Sequence, residues 1–424
     1  MTNVSPNSSE TGNTASRGAL LVIFLTIFID LVGFGIVLPL LPLYADQFSV
    51  DENGWQIGAL MASYSIMQFI FAPIWGGISD QIGRRPIIIL GISGSVIFYT
   101  LFGIAAIYKS FWGLMIARIG AGIAGATIPT AQAYIADTTS TEDRTRGMAL
   151  VGMAFGLGFA LGPAFALVAI TASGGQELGA GPGFLAAAFS AVALLLAIFK
   201  LPEPARRQAR ERAPWWNMKA WREAFSSPAI GVLVLAFFLH TFAFALYETS
   251  LSMLLKGSDE FSRKPFEFTF PQVVGTFAGL GFLAAVYQGA FVRPLSKRVS
   301  NRSLAVWGSL LEVIGFVFVT MSAFTGSIFW LFMSFFVIIA GFGCLQPSIF
   351  GLMSRWTDPD RQGTTLGVAQ SASAMARILG ALISIPLLIQ DVSAPYIGAA
   401  IFTLVSLTAI VWASARGKDF KDAA

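Results

Sequence analysis

The sequence predicts an all-α membrane protein of twelve transmembrane helices, built as two parallel six-helix halves. Three observations predict it. The 424 residues are 55% hydrophobic and only 12% charged, about half of the roughly 25% charge typical of a soluble fold. Apolar residues gather in runs of about 20, the length that crosses a bilayer. Short motifs in the first part of the chain recur in the second. The mean hydropathy of +0.71 agrees. One cysteine, Cys344, excludes a disulfide scaffold. One histidine, His240, leaves almost no room for a His- or Cys-centred enzyme. The 43 glycines and 38 phenylalanines suit closely packed membrane helices.

In order, the first 17 residues are polar and low in complexity and read as a disordered tail. No short apolar segment with a small-residue cleavage site follows, so a removable signal peptide is not expected. Spans one to six then cover 18–43, 54–78, 86–107, 110–135, 145–170 and 182–201. Together, 18–201 make the first half. The stretch 202–227 is basic and Trp-rich and connects the halves, either as a plain linker or as a short helix at the inner headgroup layer. Spans seven to twelve cover 228–255, 271–295, 303–324, 327–353, 362–389 and 394–415, so 228–415 make the second half, and 416–424 form a short tail.

Charge sets the expected orientation. With the N-terminus inside, 21 Lys and Arg fall on the inner side and 4 on the outer, with Arg118 and Arg377 inside spans. The positive-inside rule then places both termini in the cytoplasm and the protein in the cell membrane. The basic residues lie in short gaps and form no continuous face, so no nucleic-acid partner is expected despite a net charge of +4.

The halves echo one another. Phe111-Trp112 opens span four and Phe329-Trp330 opens span ten; Gly125 and Pro129 are matched by Gly343 and Pro347 at the same shift of 218 residues. Asp143-Arg144 and Gly147 are echoed by Asp360-Arg361 and Gly363. After span two come Gly76, Asp80, Arg84 and Arg85; after span eight come Gly289, Arg293, Lys297 and Arg298. Parallel halves with a midplane site between them describe one large class of secondary transporter.

The loop Gly76-Gly77-Ile78-Ser79-Asp80-Gln81-Ile82-Gly83-Arg84-Arg85-Pro86 has glycines for a tight turn, and Asp80 is placed to meet a helix N-terminus or an arginine. It resembles motif A of the major facilitator superfamily, departing only at Gln81, where that family usually has a basic residue. Ala117-Arg118-Ile119-Gly120-Ala121-Gly122 through Thr127 resembles motif B of its proton-driven members. Gly152 to Pro163, with Gly158, Gly162 and Pro163, resembles the antiporter motif C, whose Gly-Pro bends and closely packs a helix. The stretches Ile29-Asp30-Leu31 to Ile36 and Ala133 to Thr138 narrow the resemblance to twelve-helix drug–proton antiporters, especially tetracycline exporters and vertebrate relatives that carry organic anions. The resemblance implies a conformational latch at Gly76, Asp80, Gly83, Arg84, Arg85, Asp137 and Arg144, one that holds the outward-facing state. It implies alternating access, with protons entering as a small amphipathic organic compound leaves. The alternative is a facilitative or proton-linked organic-anion carrier. Members of this family commonly work as monomers. The aspartate that tetracycline exporters carry on span three is replaced near Phe98, which argues against assuming tetracycline as the substrate.

Charge inside the membrane needs a reason, because each group costs roughly 2.5–3.5 kcal/mol even on the mild insertion scale. Six such residues fall inside spans: Asp30, Arg118, His240, Glu248, Glu312 and Arg377. Asp30 lies near the middle of span one, and the resemblance places it beside span four. An Asp30–Arg118 pair that opens on protonation is therefore the expected coupling element, against a static ion pair. Glu248, Arg377, Gln68, Gln132, Tyr134, His240, Gln288 and Gln346 are the expected cavity residues, since polar side chains in lipid must face protein or water. His240 and Glu248 stand about 80° apart on span seven, so they can share a cavity without touching; a plain buried hydrogen bond is the blander reading of His240. No phosphate-binding glycine loop, zinc-ligand cluster or Ser/His/Asp set is present. The expectation is a non-enzymatic carrier without cofactor or metal, driven by the proton gradient.

Overall fold

The computed structural model describes residues 9–48, 53–138, 144–172, 179–204, 227–257, 265–295, 298–357 and 362–417, with the side chains of 9–17, 136, 144–153, 155, 159, 293 and 362–364 left out of the description. Among these residues regular structure is helical throughout. Eleven helices are long and apolar enough to span a membrane. A twelfth, Arg144–Ala172, carries the shorter apolar stretch Gly156–Ala172. The linker beyond residue 204 lies outside the described residues.

Each helix falls on an expected span, and proline and glycine explain the breaks. The helix of span one begins at Ser9, within the segment read as a tail, while its apolar span begins at the expected Gly18. It passes from Ser9–Val37 through a 3-10 turn at Leu38–Leu40 into Leu41–Phe48, with Pro39 and Pro42 at the junction. Span two is Trp55–Ile82 and span three Arg84–Ile107. Span four divides into Phe111–Gly125 and Ile128–Thr138, just before Pro129. Span six is Gly181–Lys200 and span seven Pro228–Lys256. Span eight runs as Phe270–Val286, then widens into a π-helical turn at Tyr287–Val292, a form that recurs at functional sites. Spans nine to twelve are Asn301–Thr325, Ile328–Trp356, Gln362–Gln390 and Ala394–Arg416.

The cores show how the halves meet. One cluster joins residues of both halves, from Val32, Leu40 and Leu60 to Val274, Ile385 and Tyr396. At the arginine-rich end there are instead two separate clusters. One holds Ile23, Ile88, Tyr134 and Leu201 of the first half, the other Leu233, Leu345, Trp356 and Ile410 of the second. Glycines mark the same contrast. A Cβ at Gly58 would stand 2.6 Å from the Leu382 carbonyl, so spans two and eleven touch backbone to backbone there. Gly76 and Gly77 on span two and Gly367 on span eleven face open space. The two helices meet at the end remote from the arginines and diverge toward them.

Candidate functional site: a buried acid, a bare arginine and the space between the halves

Asp30 sits on span one against span six. Its Oδ1 accepts a hydrogen bond from Ser190 Oγ at 2.8 Å, and Ser95 of span three also reaches the carboxyl. Gly33, three residues on, permits this approach: a Cβ there would lie 3.1 Å from the Ala186 carbonyl. The carboxyl borders a cavity of about 30 Å³ lined by Thr26, Phe34, Tyr64, Tyr99 and Thr127, room for about one water. Thr26 Oγ1 in that wall is buried without a partner.

Arg118 is 2% exposed and makes no ion pair with Asp30, so the direct pairing expected from the sequence does not occur. Its guanidinium carbon lies 4.7 Å from the centre of the Tyr64 ring and 5.8 Å from that of Phe34, and its Nε and Nη1 are buried without a hydrogen-bond partner. Tyr64 and Tyr99 interact electrostatically with both Asp30 and Arg118, and both line the cavity that the Asp30 carboxyl borders. Chain spacing cannot show which side chains a buried charge meets, and here Arg118 meets aromatic rings. The span-four glycines make room for Tyr64: a Cβ at Gly122 would meet the Tyr64 carbonyl at 2.6 Å, and one at Gly125 would strike its ring.

The remaining cavity candidates divide. Glu248 is half-buried and Arg377 is exposed. They interact electrostatically, and Arg377 also acts on Tyr64 across the halves. Gln68 donates to the Gly125 carbonyl at 3.3 Å. Gln132 and Gln346 are half-buried, and Gln288 is exposed on the π-helical turn beside Gly343. Two candidates lie elsewhere. Tyr134 is fully buried at the arginine-rich end, where its hydroxyl donates to the Pro202 carbonyl at 2.8 Å. His240 meets span nine within the second half, where its Nδ1 lies 2.8 Å from Glu312 Oε2 with both side chains buried. A tyrosine or histidine in an apolar span must find a partner, and here that need is met in the protein core rather than in a cavity.

The motif A loop closes on Arg84. Its guanidinium reaches Asp80 at 2.6 Å, Asp137 at 3.1 Å and Ser79 Oγ at 2.6 Å. Gly83 holds a φ of 110°, and Glu203 fills the space where its Cβ would be. The Glu203 carboxylate accepts from the backbone N–H groups of Arg84 at 2.7 Å and Arg85 at 3.0 Å, the favoured place for an anion at a helix N-terminus. Arg85 donates to the Ile198 carbonyl at 2.6 Å. Every one of these partners precedes residue 205. The Arg144 side chain lies outside the described residues. On span five, Gly158 packs on Leu31 and Gly162 on Gly35, and Pro163 is buried. Ser190, Ser95, Tyr64, Tyr99 and Glu203 were not singled out from the sequence. Hydroxyls inside apolar spans, and the acid closing Leu201-Pro202-Glu203, are the signals that mark them. Among the described residues no three metal-ligating side chains converge.

Twelve helices in two repeated halves, parted at one end and lined with isolated charges, define a secondary membrane transporter. Residues 23–381 and 271–423 match the Major Facilitator Superfamily, and the chain belongs to it. The chain is 30% identical over 371 residues to the class C tetracycline resistance protein of Escherichia coli, covering 87% of this chain and 89% of that protein. It is 25% identical over 381 residues to the quinolone resistance protein NorA of Staphylococcus aureus (strain MRSA252), covering 89% and 91%. Among solved structures, the human organic anion transporter MFSD10 superposes with a TM-score of 0.65 at 24% identity, covering 93% of this chain and 99% of that one. This chain is a multi-pass membrane carrier of small organic compounds, not an enzyme.

Proposed function

We propose that this carrier exchanges protons moving inward for an amphipathic organic compound moving outward across the cell membrane. The observation that carries the reading is Arg118: a buried guanidinium whose Nε and Nη1 have no hydrogen-bond partner, linked electrostatically to the Asp30 carboxyl through Tyr64 and Tyr99. A bare buried charge is costly, so it is sensitive to what its neighbours carry. Protonation of Asp30 removes a negative charge that both tyrosines feel. Arg118 is then the more unbalanced group, and the Tyr64 side chain, which also feels Arg377, conveys the change to the space between the halves.

Substrate meets Glu248 and Arg377 there, with Gln68, Gln132 and Gln346 as neutral polar contacts and phenylalanines as apolar walls. The tetracycline and quinolone resistance proteins among the relatives support outward transport of a drug-like compound. The positive-inside count puts the arginine-rich end and both termini in the cytoplasm, so the parted end is the inward-open face. There the motif A ties among the described residues close within 18–201 and Glu203. The carrier works as a monomer. The second reading, an organic-anion carrier, is favoured by the exposed Arg377.

Liposomes loaded with a pH dye test the choice. Under an imposed proton gradient, tetraphenylphosphonium, a neutral drug and an organic anion are added in turn to wild type and to Arg377→Ala. Proton movement triggered by the cation or the neutral drug supports drug–proton exchange. Movement of the anion alone, lost in Arg377→Ala, selects the second reading and overturns the first.

A further inference from the structure

The Asp30 mechanism leaves a second buried acid unused. Glu312 on span nine is 0% exposed and His240 on span seven 1% exposed. The fold makes room for them deliberately: a Cβ at Gly341 would lie 2.7 Å from Glu312 Cγ, and one at Gly308 would lie 2.9 Å from the Gly341 carbonyl. Stability does not explain the pair, because a well-packed apolar couple of similar volume is often as stable or more so. The pair is also only partly satisfied, with Glu312 Oε1 buried and without a partner. Buried polar atoms left in that state persist where they serve function.

What lies in front of the pair indicates that function. The His240 ring packs 5.7 Å from Phe342, Phe342 packs 4.4 Å from Phe244, and Phe244 lies 5.9 Å from Tyr247. Both phenylalanines are half-buried. His240, Phe244 and Glu248 are spaced four apart, so they form one stripe along span seven that runs from the buried pair to the carboxylate interacting with Arg377.

We propose that His240 and Glu312 are a positioning pair, which holds the aromatic wall of Phe342 and Phe244 and adjusts substrate affinity at Glu248 through the protons it shares. This rests on the reading that Glu248 and Arg377 meet substrate. The other titratable or charged side chains around the pair are few. On span ten, Cys344 stands beside Gly308. On span eleven, Arg377 interacts with Glu248 at the far end of the stripe. Among the described residues, span twelve brings Thr403 and Ser406, which take part in bonds to spans nine and seven.

The test uses the full chain in liposomes. Infrared difference spectra between about pH 5 and about pH 8, the range in which histidine changes charge, are compared for wild type, Glu312→Gln, and the double variant His240→Phe with Glu312→Leu. The double variant replaces both partners with apolar groups and is expected to fold even where the single variant does not. Binding of tetraphenylphosphonium is followed over the same range. A carboxyl band that titrates in wild type and is missing from both variants is the expected result. Wild-type affinity is expected to change about tenfold across the range, as for one unit of pKa, and that of the variants by less than about twofold. A spectrum that does not differ between wild type and Glu312→Gln overturns the proposal, leaving a static tie. A titrating band with an unaltered affinity profile in both variants overturns the link to the substrate site. Failure of the substrate reading itself shows differently, as no tetraphenylphosphonium binding by wild type at any pH.

Discussion

Arg118 is held by rings rather than by an acid. Cation–π contact with Tyr64 and Phe34 is worth about 2 kcal/mol or more when desolvated, which only partly offsets a bare guanidinium in a membrane. Arg118→Met should therefore leave the protein at least as stable by thermal unfolding in detergent, while abolishing substrate-driven proton movement. Retained proton movement would assign Arg118 a purely structural part. Tyr64→Phe keeps the ring and removes the hydroxyl, and is expected to slow exchange while preserving substrate binding, read as a fall in maximal rate at constant half-saturation. At this scale the sequence marked where charge lies inside the spans and was silent about the neighbours of each charge. The cost of charge in lipid singled out Asp30, Arg118, Glu248, Glu312 and Arg377. Rotation of one helix against another decides contacts, and nothing in the spacing of Asp30 and Arg118 shows that Arg118 lies over Tyr64 while Tyr64 and Tyr99 line the cavity at Asp30. The same limit misplaced Tyr134 and His240, whose polar ends are turned toward Pro202 and Glu312.

At the scale of elements, glycines set where helices meet. Gly58 lets span two lie directly on the backbone of span eleven. A leucine there forces them apart, and overpacking of this kind costs about 1–3 kcal/mol. Gly58→Leu is expected to depopulate the state closed at this end, seen as raised thiol labelling of a cysteine placed at Ile385 in a Cys344→Ser background. Unchanged labelling would mean that the contact does not control closure. At the other end, Glu203 ties the start of the linker to the N-terminus of span three. Glu203→Gln removes the charge from a helix-end site worth about 0.3–1 kcal/mol. It should slow transport modestly while leaving the amount of folded protein unchanged, whereas Arg84→Ala, which breaks the ties to Asp80, Asp137 and Ser79 together, should cost more. Equal effects from both would contradict the ordering of these contacts. Helix positions were legible because hydropathy and proline mark them directly. The helical extension of span one back to Ser9, ahead of its apolar start at Gly18, and the π-helical turn at Tyr287–Val292 were not, since the first carries no apolar signal and the second differs from an α-helix only in its hydrogen bonding.

For the whole molecule, the repeat and the motifs gave twelve helices in two halves, and the structure adds the conformation. One core is shared at the end remote from the arginines, and two separate cores stand at the other. No linear pattern encodes that asymmetry, because the same chain must also adopt the reverse arrangement to carry substrate across. The central claim is that protons move through Asp30 and that substrate movement depends on them. The most direct test reconstitutes wild type and Asp30→Asn in liposomes and follows the pH dye and substrate together. Asp30→Asn is expected to lose substrate-driven proton movement while still letting substrate equilibrate down its own gradient. Proton movement at the wild-type rate in Asp30→Asn would contradict the account.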